Sequence, residues 1–550
     1  MALQIDPDDH FAYNNRGIAK ADLGKNVEAI EDYDKSIELN EQFSIAFNNR
    51  GIAKAELSLY EEAIEDYTKA IEIDTDYSKA YYNRANAKVN LSNYEEAISD
   101  FNTSIELNPV DSKAYNNRGI AKAYLNNNED AISDFDEAID LNPEDVVAYY
   151  NRGIAKAKLE NNEDAIEDYN KAIELVPDDA STFYNRGIAK AKLADYENAI
   201  LDFDKAIALN EEYTIAFNNR GRAKANSNLN EAAIADFDRA IELDDEYVIA
   251  YNNRGMAKAE LKRFEEAILD FDTAIALSPE HDNAFFNRGL AKASLEKYEE
   301  SIEDYDQAIR LNSEYTQAYH NRGLAKANLK KHEEAITDYT KTIELNDQYV
   351  KAYNNRGIAK AELKLFEDAI IDYDEAIRID ETDAAAFYNR GLAKAALEQF
   401  EDSIKDFDKS IQLNPDLKKM KEEDSIDRSE TQEKADEGDK KSSSDTNIDY
   451  FKRGKTKAEL GMHESALKDF SKAIDLDDQN YMAFYQRGLI YQKLDKSNDA
   501  LADFKVAITL NPDHEEALNE IIKIESSIDE GDELSTSSDE LPENKDKEKK

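Results

Sequence analysis

Small and apolar residues recur along this chain with helical spacing, in two short runs followed by a stop, and the pair of runs then starts again. At about 100° per residue, Ala12, Tyr13, Arg16, Ala19, Lys20 and Leu23 fall on one stripe of a first helix within residues 11–23. Ala29, Ile30, Tyr33 and Ile37 form the matching stripe of a second helix within residues 27–39, with Asp32 at its edge. A short turn joins the two, and a Pro, Asn or Asp position ends the second. The pattern predicts a helical hairpin that buries its stripes by stacking on copies of itself.

The hairpin repeats every 34 residues. Arginine marks the beat from Arg16, Arg50 and Arg84 through Arg390, and again at Arg453 and Arg487 after a polar interruption, so fourteen units are counted. Of 17 glycines, 13 directly follow this arginine, and seven of the 8 prolines share one phase, so the punctuation is periodic too. Such a period implies a solenoid, in which length counts repeats and function resides on a continuous surface instead of in one pocket. The opening Ala2-Leu3-Gln4-Ile5-Asp6-Pro7 matches the end of a repeat, so the array is expected to begin mid-unit, with any upstream repeat or targeting segment out of view.

The phase of Tyr13, Gly17, Ala29, Tyr33 and the proline position at Glu41 resembles the tetratricopeptide repeat, over residues 2–417 and 447–513. The resemblance implies an all-α fold, a right-handed superhelical solenoid of antiparallel helix pairs with a concave groove lined by the first helices. Two departures stand out: the family's frequent leucine is Arg16 and its equivalents, and its frequent tyrosine four residues later is Lys20, Lys54, Lys88 and so on. These cations fall on the packing face and need counter-charges. Aspartate holds one place in the second helix of all fourteen units, from Asp32 and Asp66 to Asp469 and Asp503. The planar guanidinium fork suits a carboxylate, so a ladder of Arg–Asp pairs, one within each unit, is expected to fix the register. Because each arginine carries its own aspartate, a role for these arginines in binding anionic ligands is the weaker reading.

Asparagine immediately precedes the arginine in twelve successive units: Asn15, Asn49, Asn83, Asn117, Asn151, Asn185, Asn219, Asn253, Asn287, Asn321, Asn355 and Asn389. An amide offers both a donor and an acceptor, so a row of them can pair with the main chain of an extended peptide whatever its side chains. These twelve are the candidate peptide-binding residues; the asparagine-lined repeat domain of O-linked N-acetylglucosamine transferase is similar. Asparagines that cap or space helices, or that survive from duplication of near-identical units, would make the same row. Phe11, Asn14, Ile18 and Asp22 are expected on the same face, and an apolar stripe from Ile18 and Ile52 through Met256 to Leu392 runs beside the ladder, either touching a ligand or packing under the next unit. The last two units carry Lys452 and Gln486 instead. The carboxylate clamp by which co-chaperones of this family grip acidic C-termini is matched poorly. Its lysine position, two before the arginine, holds Asn14, Asn48, Tyr82, Asn116, Tyr150 and Tyr184.

Charge narrows the partners. With 120 acidic against 69 basic residues the formal net charge is −51, which repels phosphate backbones and anionic membrane surfaces, so protein partners are expected, not nucleic acid or membrane. Cysteine is absent, excluding disulfides, thiol catalysis and cysteine metal sites. The six histidines are scattered through different units without ligand spacing, and no phosphate loop, nucleophile elbow or zinc-protease motif occurs. No catalytic residue, metal or cofactor is expected. No apolar run approaches a spanning length and no signal peptide opens the chain, so a cytoplasmic location is expected.

The predicted organisation is a main array over 1–417, a charged flexible linker over 418–446, two further units over 447–513 forming a separate module, a capping helix over 514–528 and a disordered acidic, Ser-rich tail over 529–550. The expected function is a noncatalytic adaptor that binds extended peptide segments in its groove through the asparagine row. The alternatives are a multi-partner scaffold using the acidic convex surface and a targeting arm for an enzyme acting in trans. The oligomeric state is not legible.

Overall fold

The computed structural model describes residues 8–413 and 443–536, and its described residues form 29 helices and no strand. The expected partial unit before His10, most of the linker and most of the tail lie outside them. The fold is the all-α superhelical repeat, in two compact bodies, Met1–Leu261 and Lys262–Lys550.

Each repeat is a first helix of 13 residues and a second of 14, as in His10–Asp22 with Asn26–Leu39 and Ser44–Glu56 with Tyr60–Ile73. Asp9, Asp145, Asp179 and Asp383 cap first helices by accepting N–H bonds of the first turn. The turn between the helices closes on a residue in the left-handed region. Ser58 (φ 61°) donates its N–H to Ala55 O at 2.9 Å, and Leu59 donates to Lys54 O at 3.0 Å. Among the described residues glycine supplies this conformation only at Gly24 and Gly461; Ser92, Glu160, Ala194 and others adopt it against the steric preference of an L residue.

Second helices pack between the first helix of their own repeat and that of the next. Tyr33, 2% exposed, sits with Ala29 against Ala53 of the following repeat. The ring also presses on the first helix of its own repeat, which explains the periodic glycine: a Cβ on Gly153 would stand 2.7 Å from Tyr169 Cε1. Ala85 takes that place against Phe101, the one departure the packing accommodates.

The Arg–Asp ladder is present and is more extensive than one pair per unit. Arg186 donates from Nε to Asp202 Oδ2 at 2.9 Å and from Nη2 to Oδ1 at 2.6 Å, and Lys190 Nζ stands 2.7 Å from the same carboxylate. Its third nitrogen, Nη1, reaches back to Asn170 of the preceding repeat at 2.6 Å, and its guanidinium lies over the Phe183 ring. Equivalent forks run from Arg16–Asp32 to Arg220–Asp236 in the first body and from Arg288–Asp304 to Arg487–Asp503 in the second. Burial by itself would make Arg152 easier to deprotonate; hydrogen bonds to Asp168 and Asp136 outweigh it and hold the group above its ordinary value. The backward contact ties repeat to repeat, which pairing within each unit did not foresee.

That contact also corrects the expected organisation. The helix Ser443–Glu459 begins inside the predicted linker and packs on Phe400–Leu413, and Arg453 Nη1 reaches Asp408 at 2.6 Å. The partner elsewhere lies 16 residues back, as Asp34 does from Arg50; here it lies 45 back, so the spacer is skipped and the last repeats continue the stack instead of forming a separate module. The final helix, Glu515–Thr536, overruns the expected cap by eight residues, since no proline interrupts the sequence before Pro542.

Two measurements test this account. Arg186→Ala takes two hydrogen bonds from a carboxylate that is 5% exposed and leaves it with Lys190 alone, and is expected to destabilise the array by about 2–3 kcal/mol, seen as an earlier denaturant transition. Ala194→Gly, which relieves a left-handed alanine, is expected to shift the transition the opposite way by about 1 kcal/mol.

Candidate peptide-binding face

Successive first helices touch one another in each body, whereas successive second helices do not come into comparable contact among the described residues. First helices therefore line the inner side of each stack. The residues one, five, eight and twelve places into the stripe that begins at Phe11, namely Phe11, Asn15, Ile18 and Asp22, share one helical face and look into that side.

The structure places the twelve asparagines on this face, Asn15 exposed, Asn321 buried and the others half-buried. Their amides are not idle. Asn49 Nδ2 donates to Asn14 Oδ1 of the preceding repeat at 3.0 Å, and Asn83 to Asn48, Asn253 to Asn218 and Asn389 to Asn354 at 2.9 to 3.0 Å. Asn117, Asn185 and Asn219 donate instead to the hydroxyls of Tyr82, Tyr150 and Tyr184 at 3.1, 2.8 and 2.8 Å, Asn117 also reaching Asn86 Oδ1. One N–H of these amides thus joins neighbouring first helices, and Asn117 spends both of its N–H groups in this way; the other amides keep a second N–H that these bonds do not use. Asn151, Asn287 and Asn355 occupy the same half-buried place.

The acceptors are residues that sequence reasoning had misplaced. Asn14 was expected on the open face, but it is 3% exposed, because its helical angle turns it toward the following repeat. Eleven of the twelve residues at this phase carry a polar group; the exception is Phe286, and there Asn321 turns to its own helix and donates to Gln317 O at 2.9 Å. That co-variation at a separation of 35 was the available signal. Burial pushes the Tyr184 hydroxyl up to about 12, so it stays protonated while it accepts from Asn219.

The apolar stripe divides between its two expected roles. Ile18, Ile52, Met256 and Ile358 are exposed, whereas Ile120, Ile154, Ile188 and Leu290 pack against core clusters. Two turns earlier on the same face, Ile45, Val147, Ile215 and Ile249 are exposed, positions for which the sequence suggests only Phe11. Ile52, Glu56, Tyr60, Asn83, Asn86 and Asn90 line a cavity of about 360 Å³ between two repeats of the first body. In the second body Lys455, Glu459, Gln486, Leu489 and Lys493 line one of about 420 Å³. Beside it, burial and the neighbouring Lys455 lower the Lys452 ammonium below its ordinary value.

Tetratricopeptide repeat models match residues 10–179 in five consecutive copies, 248–281 and 384–417, and further models of the same repeat cover 184–248, 291–330, 316–383 and 450–514. The chain belongs to the tetratricopeptide repeat family. Among solved structures, the array is similar to YrrB, described as a TPR protein with an unusual peptide-binding site (28% identity over 34% of this chain and 95% of that one, TM-score 0.31). It is also similar to the Cut9–Hcn1 hetero-tetramer of the APC/C (13%, 88% and 96%, TM-score 0.40) and to MamA (24%, 30% and 96%, TM-score 0.29). No curated protein matches it. As a tetratricopeptide array the chain is a protein–protein interaction adaptor, and this architecture is generally a noncatalytic scaffold. No helix among the described residues is long and apolar enough to cross a membrane.

Tyr184→Phe removes the acceptor of Asn219 and leaves the ring in place. It is expected to destabilise the array by about 1 kcal/mol, read from the denaturant midpoint, and an unchanged midpoint would show that this bond does not join the repeats.

Proposed function

We propose that the array holds extended peptide segments of partner proteins along the inner face of its first helices, with the asparagine row contacting the peptide main chain and the flanking side chains selecting sequence. The observation that carries this reading is the arrangement of the amides. Inter-repeat bonds orient Asn49, Asn83, Asn117, Asn185, Asn219, Asn253 and Asn389 in one way, half-exposed beside exposed apolar side chains such as Ile52 and Ile215. Amides fixed in advance lose little side-chain entropy on binding, so the row suits a main chain better than mobile asparagines would.

The amides have a structural share, so the test must separate support from contact. Partner capture with the full chain is compared with a variant in which Asn83, Asn117, Asn151 and Asn185 are alanine, and with Tyr150→Phe plus Tyr184→Phe, which breaks two supporting bonds and keeps the amides. Loss of captured partners in the first variant and retention in the second, at equal helicity, is the expected result. Equal loss in both would assign the amides to stacking alone, and equal retention would move binding to another surface.

A further inference from the structure

Almost every cation of the first body is engaged. The ladder arginines and lysines hold buried aspartates, and outward cations pair along their own helices, as Lys35 with Glu38, Lys69 with Glu72, Lys171 with Glu174 and Arg239 with Glu242. Among the described residues of this body, the exceptions with no carboxylate partner within 4.0 Å are Lys79, Lys113, Lys158, Lys192, Arg222 and Lys205. Lys205 stands over the Phe183 ring. The other five are exposed, and all five lie on the inner face of first helices, one in each of five successive repeats between Ser78 and Asn226.

Acids in these repeats stand at the helix caps and turns, such as Asp111, Asp145 and Asp179, and on the second helices, not on the inner face of the first. At the four inner-face positions of these repeats stand Lys79, Asn83, Asn86 and Asn90, and then their equivalents through Ile215, Asn219, Arg222 and Asn226, with no Asp or Glu among them. In a chain with 120 acidic residues this is a local exclusion, and it ends on either side: Asp22 and Glu56 occupy the last position before it and Glu260 the last position after it.

We infer that this band takes an acidic, extended segment of a partner protein, its side-chain carboxylates meeting Lys79, Lys113, Lys158, Lys192 and Arg222. The inference rests on the peptide-face reading above and names the chemistry of its ligand. Packed helices lie about 8–10 Å apart and an extended chain rises about 3.3 Å per residue, so roughly three residues match one repeat where successive cations share a level, as Lys79 with Lys113 and Lys158 with Lys192. From Lys113 to Lys158 the level shifts by most of a helix, about 16 Å, and about six residues span the step, so acids spaced in multiples of three meet both pairs. The residues between the acids meet Asn117, Asn151, Asn185 and the exposed Val147 and Ile215. Because the cations are spread over five repeats, the match is to side chains along a segment and not to one terminal carboxylate. A uniformly charged polyanion would run into Asp22, Glu56 and Glu260 at the ends of the band, which favours a mixed acidic peptide over RNA.

The test is fluorescence anisotropy with the full chain and a labelled peptide of about fifteen residues, glutamate at every third position, glycine and serine between, and an amidated C-terminus. The expected result is binding that weakens at least about tenfold when the glutamates become glutamine, since five exposed ion pairs are lost. The same loss is expected in the K79Q/K113Q/K158Q/K192Q/R222Q variant and not in the outward control K35Q/K69Q/K171Q/R239Q. Equal binding of the acidic and neutral peptides, with both weakened by the asparagine variant, would overturn the cationic preference and leave the peptide face standing. No binding of the acidic peptide, equal loss in the outward control, or tighter binding of single-stranded RNA would each overturn the proposal.

Discussion

Everything else in this molecule depends on a guanidinium that must be answered on two sides. Placing Arg186 and its equivalents on a packing face buries charge, and that is tolerable only because Asp202 accepts two parallel bonds while Asn170 of the preceding repeat takes the third nitrogen. An apolar ridge at the same place would pack at a range of offsets; a three-point fork has one solution. The register of repeat on repeat is therefore set by hydrogen-bond geometry, and the apolar contacts of Tyr169, Phe203 and their like fill the space that this geometry defines. The crossing of the spacer by Arg453 and Asp408 shows how strongly the requirement operates, since the contact recurs although the chain between the partners is 29 residues longer than usual.

Register in turn makes the inner face regular. With each first helix held at the same offset, residue 15 of one repeat meets residue 14 of the one before, and the amide row becomes a set of bonds across the stack. The same side chains then have two tasks, joining helices and facing outward, and an amide is suited to both because it carries more hydrogen-bonding capacity than the joint consumes. Where the acceptor is missing, at Phe286, the amide folds back and is buried, so one rung of the row is withdrawn from the face.

Electrostatics divides the surface in a way net charge does not reveal. A chain of charge −51 is acidic on average, yet its outward cations mostly pair along their own helices, and the four inner-face positions of its first helices from Ser78 to Asn226 carry cations and no acid. The local field a ligand meets there is set by the charges within about one Debye length, about 8–10 Å, and not by the sum over the molecule.

The repeat, its two helices, their stripes, the all-α class and the Arg–Asp pairing were all legible in the residues of one unit, because helical period and charge pairing are local and the array writes them fourteen times. The row of asparagines was legible as a row. What it touches was not: Asn14 and Asn15 are neighbours in the chain, and only the angle at which the next helix docks decides that one is buried as an acceptor and the other left on the face. The backward arm of each arginine, the continuation of the stack past the spacer and the grouping of unpaired cations were likewise decided by tertiary structure. They depend on distances between side chains of different repeats, and those distances are fixed by packing, not by spacing along the sequence.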